Sequence, residues 1–209
     1  MDIVKLSNLK RNSKNIEVNN TLHTVYCVLG RTSSGKSEIV KRASNQLNMV
    51  VLKSYTTRAR RENETEEDSD HTFIHPDEVE KYKSDMVAYT DRVGYCSFAT
   101  KQQLLESDFY IINPTGYYEL KLKTKDMDIE LVPIYVTVPY SVLVKRAKNR
   151  GSFESWKENY INEGEEFSQF EKSNLIDYRI LNDGEIDDSV EKMIRIINKH
   201  KNKQLKERR

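Results

Sequence analysis

The sequence has few cysteines and no long hydrophobic run, and each shortage excludes a class of protein. Only two of its 209 residues are cysteine, and Cys27 and Cys96 form neither a CxxC pair nor a cluster with histidine. A disulfide framework and a zinc site are therefore not indicated, and we expect both thiols to be reduced. No stretch approaches the length of apolar chain that spans a membrane. The first residues, MDIVKLSNLKRNSKN, lack the apolar segment of a secretory signal, so we expect a cytoplasmic protein.

An excess of charge of one sign is also missing. The chain has 34 basic and 33 acidic residues, a formal net charge of +1, which argues against nucleic acid as a partner. Its length predicts one compact domain, at residues 23–200. We interpret residues 1–22 as a polar N-terminal tail and residues 201–209 as a basic C-terminal tail that continues a solvated helix end.

Short β-type runs alternate with helical patterns along the chain. The first run, TVYCVL at residues 24–29, is continuously apolar, as expected of a parallel strand covered by helices on both faces. Later runs predict further strands at residues 49–56, 109–113, 131–138 and 177–183. The alternation predicts an α/β fold with a parallel central sheet. A polar segment with two more β-type runs indicates an inserted lobe, and a polar, acidic helical stretch after Gly151 indicates a lid.

The segment GRTSSGKS directly follows the first strand and leads into a helix. Its residues Gly30, Gly35, Lys36 and Ser37 satisfy the pattern GxxxxGK[ST]. The glycines allow backbone N–H groups to point inward at phosphate oxygens, and the helix N-terminus adds partial positive charge. Lys36 would reach the β and γ phosphates, and the Ser37 hydroxyl would take one Mg²⁺ position. We predict an ATP site formed by Gly30, Arg31, Thr32, Ser33, Ser34, Gly35, Lys36 and Ser37.

A second motif, SYTTRARR at residues 54–61, follows the second predicted strand. Ligands of α/β sheets gather beyond the carboxyl ends of the strands, which places this motif near the phosphate loop. Arg58 and Arg61 could form a fork for an anionic acceptor, with Ser54 adding a hydroxyl. The residues alone equally allow a solvated basic loop beside the acidic run that follows it.

Together the two motifs resemble guanylate kinase, in which S-x-T-T-R-x-P-R follows the second strand. The matching residues are Ser54, Thr56, Thr57, Arg58 and Arg61, and Arg60 replaces the proline. The resemblance extends over residues 24–197. Its weaker parts are Asp70-His71-Thr72-Phe73, similar to D-Y-x-F, Arg146 with Arg150-Gly151, similar to R-x-x-x-R-G, and Asn182-Asp183, similar to N-D.

The resemblance implies a fold and a set of roles. The fold is a three-layer P-loop architecture with about five parallel strands, an NMP-binding lobe at about 56–105 and a helical lid at about 150–172. The activity is Mg²⁺-dependent phosphoryl transfer from ATP to a nucleoside monophosphate, foremost GMP or dGMP. The implied catalytic residues are Lys36, Arg58, Arg146 and Arg150, and Asn182 lies near the adenine. We place the acceptor at Ser54, Arg58, Arg61, His71, Asp91, Tyr95 and Asn113.

The sequence departs from the family where the family reads guanine. An expected glutamate falls at Ala88, an expected acidic residue at Asn113 and a Ser or Thr contact at Ala99. Neutral side chains pair less strongly with the N1–H and amino groups of guanine, so the preference for guanine should weaken. The carbonyl of Asn113 and the carboxylate of Asp91 could compensate.

Three further contacts of the family are also changed. A tyrosine that touches the acceptor phosphate falls near Ser97, or at Tyr95 with a small shift of the alignment, and His71 replaces a second tyrosine. An arginine of the lid falls at about Asn159.

The sequence leaves three functions open. The first is a nucleoside monophosphate kinase of the guanylate kinase type. The second keeps the phosphate-loop chemistry but uses another nucleotide or a polynucleotide end as acceptor, and its support is the altered base pocket. The third is a non-catalytic module that holds a phosphorylated partner, against which the intact GRTSSGKS argues, since a scaffold has no need of a triphosphate cradle.

Overall fold

The computed structural model describes residues 22–61, 64–65 and 69–207. Strand β1, His23–Leu29, is the middle strand of its central sheet. Val25, Cys27 and Leu29 pack on one face of the sheet, and Tyr26 and Val28 pack on the other. Successive side chains of a strand point to opposite faces, so a strand covered on both sides must be apolar throughout. Of the predicted N-terminal tail, all but Leu22 lies outside the described residues.

Five parallel strands make up the central sheet, in the order β2-β7-β1-β8-β9. The other four are β2 Val51–Leu52, β7 Phe109–Ile111, β8 Ile129–Thr137 and β9 Tyr178–Leu181. The predicted parallel sheet of five strands is therefore confirmed.

Helices cover both faces of this sheet. Buried residues of α1 Lys36–Leu47 and α7 Ile186–Glu207 pack on the Tyr26 face. The opposite face packs against α2 Lys101–Leu105, α3 Pro114–Lys123 and α6 Gly164–Lys172. Two further α-helices, α4 Tyr140–Asn149 and α5 Phe153–Asn162, pack on each other through Leu143, Ala147 and Trp156. These layers give the predicted three-layer α/β architecture.

A second sheet of four strands, in the order β4-β3-β6-β5, lies between β2 and α2 in the chain. Its strands are β3 Ser54–Thr56, β4 His71–Phe73, β5 Met86–Arg92 and β6 Tyr95–Thr100, and a 3₁₀-helix, Pro76–Asp85, connects β4 to β5.

This second sheet corrects one expectation. The run predicted as a single strand at residues 49–56 is divided at the exposed Lys53, because β2 pairs with β7 in the central sheet while β3 pairs with β4 and β6. An apolar run does not reveal which strand will be its hydrogen-bonding partner. Strand β4 was not predicted, because three residues are too few to show a period.

The end of the chain also differs from the prediction. Helix α7 continues to Glu207, past the predicted domain boundary at residue 200, so residues 201–207 of the expected tail are helical. Gln204 Nε2 donates to Thr24 Oγ1 at 2.8 Å, which fastens this last part of the helix to the start of β1. Among the described residues, no helix has both the length and the apolar character needed to cross a membrane.

Candidate functional site

The phosphate loop, residues 30–37, turns sharply between β1 and α1. Gly35 has a φ of 85°, a left-handed conformation that glycine adopts without steric cost. A Cβ atom at Gly35 would lie 2.6 Å from Asn182 Nδ2. Glycine is therefore required here both for the backbone conformation and for the close approach of a neighbouring side chain.

Asn182, predicted to lie near the adenine, and Arg146, predicted to be catalytic, both donate hydrogen bonds to the backbone of this loop. Asn182 Nδ2 donates to the Ser34 carbonyl at 2.7 Å, and Arg146 Nη1 donates to the same oxygen at 3.2 Å. Asn182 is fully buried, and its own Oδ1 accepts from Ser189 Oγ at 3.1 Å. Both ends of the Asn182 amide are thus used within the protein, where they fix the shape of the loop.

Lys36 lies near the end of the loop and is the first residue of helix α1. Burial lowers the pKa of its ammonium group, and the nearby Arg150 acts in the same direction, while the carboxylates of Glu163 and Asp70 oppose both. Burial, together with Arg150, likewise lowers the pKa of Arg146. The fold therefore brings three of the four predicted catalytic residues together around the loop.

Asp70, which directly precedes β4, reaches the residue predicted to bind the metal. Ser37 Oγ donates to Asp70 Oδ2 at 2.5 Å. Hydroxyl and carboxylate oxygens are the ligand types that Mg²⁺ prefers, and such sites are usually completed by phosphate oxygens and water. Within the described residues, no group of three or more His, Cys, Asp or Glu side chains is placed to bind a metal by itself.

The next residue, His71, contacts the first residue of the acceptor motif. His71 Nδ1 lies 2.8 Å from Ser54 Oγ. Burial lowers the pKa of His71, and the nearby Arg58 acts in the same direction. The Arg58 guanidinium donates through Nη2 to both carboxylate oxygens of Glu64, each at 2.9 Å, and it lies over the ring of Phe73. The fold thus groups Ser54, His71 and Arg58.

Arg61 lies at the edge of this group. It is exposed, and its backbone N–H donates to Glu64 Oε2 at 3.2 Å. The Glu64 carboxylate therefore contacts both arginines of the predicted fork. It accepts from the side chain of Arg58 and from the backbone N–H of Arg61.

One face of the second sheet, which we call the cleft face, carries a row of polar residues directed toward the central sheet and α6. Paired positions on β5 and β6 place Thr90 opposite Ser97 and Arg92 opposite Tyr95. Thr90 Oγ1 donates to Asn113 Oδ1 at 3.3 Å, and Arg92 Nη2 bonds Glu166 Oε1 at 2.9 Å. Tyr95 and Ser97 therefore share this face, since alternate residues of a strand point the same way.

Asp91 lies on the opposite face of the second sheet. It falls between Thr90 and Arg92, pairs with Cys96 and is exposed. The structure thus does not bring Asp91 to Asn113, because strand alternation directs neighbouring side chains to opposite sides.

Asn113 follows β7 and caps helix α3. Its Oδ1 accepts from the Gly116 N–H at 2.8 Å, in addition to the Thr90 hydroxyl. Because this cap requires the oxygen, the amide orientation is fixed, and the NH₂ group is the part left to meet a ligand. The Asn113 side-chain oxygen, which we expected to accept from guanine, therefore already accepts two hydrogen bonds within the protein.

Residues of α5, of α6 and of the turn between them contact the phosphate loop. Trp156 Nε1 donates to the Thr32 carbonyl at 3.4 Å, and the Thr32 N–H donates to Glu163 Oε2 at 3.2 Å. Arg31 forms two hydrogen bonds with Glu171, the shorter at 2.9 Å, so its guanidinium is committed to α6. Beside these contacts is a cavity of about 350 Å³, lined in part by Ser34, whose buried Oγ has no hydrogen-bond partner within the described protein.

The sequence did not indicate the parts played by Asp70, Glu163, Thr90, Arg92 and Glu166. Asp70 was part of a recognised motif but had no assigned contact, and Glu163 belongs to an acidic stretch without a distinctive pattern. Each acts on a residue at least 23 positions away, so no local spacing could have identified it.

Comparison of the sequence with protein-family models and with curated proteins finds no match. Among solved structures, a guanylate kinase from Anaplasma phagocytophilum matches with a TM-score of 0.63 and 19% sequence identity, over 86% of this chain and 87% of that chain. A de novo designed protein with the P-loop NTPase fold matches with a TM-score of 0.37 and 11% identity, over 85% of this chain and 93% of that chain. The first match shows that this chain has a guanylate kinase-like P-loop fold.

Proposed function

We propose that the protein transfers the terminal phosphoryl group of ATP to the phosphate of a nucleoside monophosphate. One observation carries the proposal: two consecutive residues join the phosphate loop to the cleft face. Asp70 accepts from Ser37 in the loop, and His71 bonds Ser54 in the acceptor motif. A phosphate loop and a polar acceptor motif that are joined through neighbouring residues suit transfer between two phosphates, for which positioning and charge stabilisation supply most of the catalysis.

In this reaction an oxygen of the acceptor phosphate forms a bond to the γ phosphorus of ATP. The bond from that phosphorus to the β–γ bridging oxygen breaks, which leaves ADP and a nucleoside diphosphate. Lys36 and Arg150 would supply positive charge to the transferring group. Arg58 would meet the acceptor phosphate, which competes with Glu64 for its N–H groups.

Magnesium fits the oxygen donors at the loop. Ser37 and Asp70 would hold the ion together with phosphate oxygens and water, and when bound the ion neutralises charge on the phosphates.

The identity of the acceptor base is the finer part of the proposal. The resemblance implies GMP or dGMP, whereas the bonds made by Asn113 Oδ1 favour a second candidate, a kinase of a different nucleotide or polynucleotide end. Guanine presents N–H donors at N1 and N2, and an Asn113 that offers only N–H groups does not accept from them. The complete phosphate loop argues against a non-catalytic module.

The test is ADP release from Mg·ATP in the presence of each common ribo- and deoxyribonucleoside monophosphate. Lys36→Met should reduce stimulated release by roughly 1,000-fold or more, since the ammonium is the loop's charged contact to the transferring group. Lys145→Met, at an exposed position of α4, makes the same change away from the loop and should retain activity. Activity of Lys36→Met at the wild-type level would show that the mechanism is wrong, and undetectable ATP binding by calorimetry would favour the non-catalytic module.

A further inference from the structure

The phosphate loop already contacts an anionic group of the protein itself. Glu163 lies between α5 and α6, and its Oε2 accepts from the Thr32 N–H at 3.2 Å. Burial raises the pKa of this carboxyl group, while the Lys36 ammonium and the Thr32 N–H act in the opposite direction. A loop N–H and the loop lysine are also the groups that a P-loop presents to phosphate oxygens.

Contacts on both sides hold Glu163 in this position. On the α5 side, the Trp156 indole donates to the carbonyl of the same Thr32. On the α6 side, Glu171 is paired with Arg31, the residue before Thr32. The carboxylate is therefore placed by two anchored helices rather than by its own side chain alone.

The position within the loop indicates which phosphate the carboxylate resembles. In P-loops the backbone N–H groups cradle the inner phosphates, and the lysine reaches the β and γ phosphates. Glu163 makes one hydrogen bond to the described loop residues, with Thr32 in the first half of the loop. Its carboxylate is also near Lys36. Lys36 is the loop group that reaches the γ phosphate, so a carboxylate beside Lys36 competes with the one phosphate that a triphosphate has and a diphosphate lacks.

We propose that Glu163 determines how strongly the loop discriminates between nucleoside triphosphates and diphosphates. A triphosphate must displace the carboxylate from the Thr32 N–H, beside the Lys36 ammonium, whereas a diphosphate can bind beside it. The inference rests on the proposed function, since it requires that the loop bind nucleotides. Glu163 thus weakens the binding of ATP selectively, because the carboxylate and the γ phosphate carry like charges in a partly buried site.

Calorimetric titration of Mg·ATP and Mg·ADP into the full-length wild-type protein and three variants tests this inference. Glu163→Gln should bind ATP about tenfold more tightly than the wild type, while its affinity for ADP stays within about threefold. Glu158→Gln makes the same change of charge at an exposed position of α5 and should match the wild type for both nucleotides. Glu163→Asp, which keeps the charge but shortens the side chain, should fall between them for ATP. Thermal melting of each variant establishes that it is folded.

Two results would overturn the inference while leaving the proposed function intact. One is unchanged or weaker ATP binding by Glu163→Gln, and the other is an equal gain for ATP and ADP. Failure of the proposed function is recognised separately, because the wild-type protein would then release no ADP in response to any nucleoside monophosphate.

Discussion

The phosphate loop and the cleft face divide the candidate site into two halves that are built differently. The loop is one continuous segment whose proposed ligand-binding groups are mostly backbone N–H groups, and Asn182 and Arg146 hold its backbone. The cleft face collects single side chains from several strands of the second sheet and from the end of β7. Changes at single positions can therefore alter the cleft face without disturbing its scaffold, whereas the loop depends on a few glycines. The complete loop motif and the altered base-reading positions agree with this difference.

After Lys36→Met, the largest effect should come from a substitution that distorts the loop at Gly35. In Gly35→Ala the new Cβ would lie 2.6 Å from Asn182 Nδ2, at a φ that side chains disfavour. The shift needed to relieve this contact would move the N–H groups of the loop, so ADP release should fall on the order of 100-fold or more. Steady-state kinetics with Mg·ATP and the best acceptor measure this change.

Gly94 provides the matched control. It has a φ of 84° at the turn between β5 and β6, with no atom near the position of a Cβ. Gly94→Ala should lose about 1–2 kcal/mol of unfolding free energy through backbone strain alone and should keep its activity. Equal losses of activity in both variants would mean that strain, rather than the geometry of the loop, explains the Gly35 result.

The sequence predicted the phosphate loop better than the cleft face, because the loop is one continuous segment and the cleft face is assembled from several strands. The loop, the five central strands and their helices follow from local patterns, because apolar periodicity and a contiguous motif are properties of short segments. The division of residues 49–56 between two sheets, the contact of Asp70 with Ser37 and that of Glu163 with Thr32 depend on tertiary structure. Asn113 shows the limit most clearly: its position at a strand end was predicted, but its helix cap, which fixes the amide, appears only with α3 in place.

A second prediction tests whether Asp70 and Ser37 bind magnesium at the phosphate loop. Asp70→Asn removes the negative charge beside Ser37, so the Mg²⁺ concentration for half-maximal activity should rise about tenfold. A magnesium titration of ADP release at fixed ATP measures it. Asp91→Asn, at an exposed position of β5, is the matched control and should leave the titration unchanged. Equal magnesium requirements in Asp70→Asn and the wild type would remove Asp70 from the proposed metal site.

The cleft half should respond in selectivity rather than in overall rate. Asn113→Asp keeps a helix-capping oxygen and supplies a carboxylate oxygen that can accept from guanine N1–H. Its kcat/KM for GMP, relative to the best other nucleotide, should therefore rise about tenfold, with little change in stability. Asn113→Ala, which loses the cap, should cost about 1 kcal/mol of unfolding free energy without this gain. A wild-type protein that already prefers GMP, and a variant that does not increase that preference, would contradict this reading of the cleft.

The smallest effect concerns the pH dependence of stability in the cleft half. Burial lowers the pKa of His71, so the folded protein binds the extra proton less readily than the unfolded chain. The stabilisation from neutral His71 is complete above the usual histidine pKa of about 6.5, and it is lost as the pH falls toward the lower folded value. His71→Gln can keep a hydrogen bond to Ser54 but does not titrate, so urea unfolding should show a smaller loss of unfolding free energy between about pH 7.5 and pH 5.5 than in the wild type. His75→Gln removes the exposed histidine that caps the 3₁₀-helix and does not touch Ser54, so its stability at pH 7.5 is compared separately while it serves as the control for the loss of one histidine. If His71→Gln and the wild type lost the same unfolding free energy, the contact with Ser54 would tolerate a charged imidazole, and the link between the loop and the cleft would not depend on the neutral form.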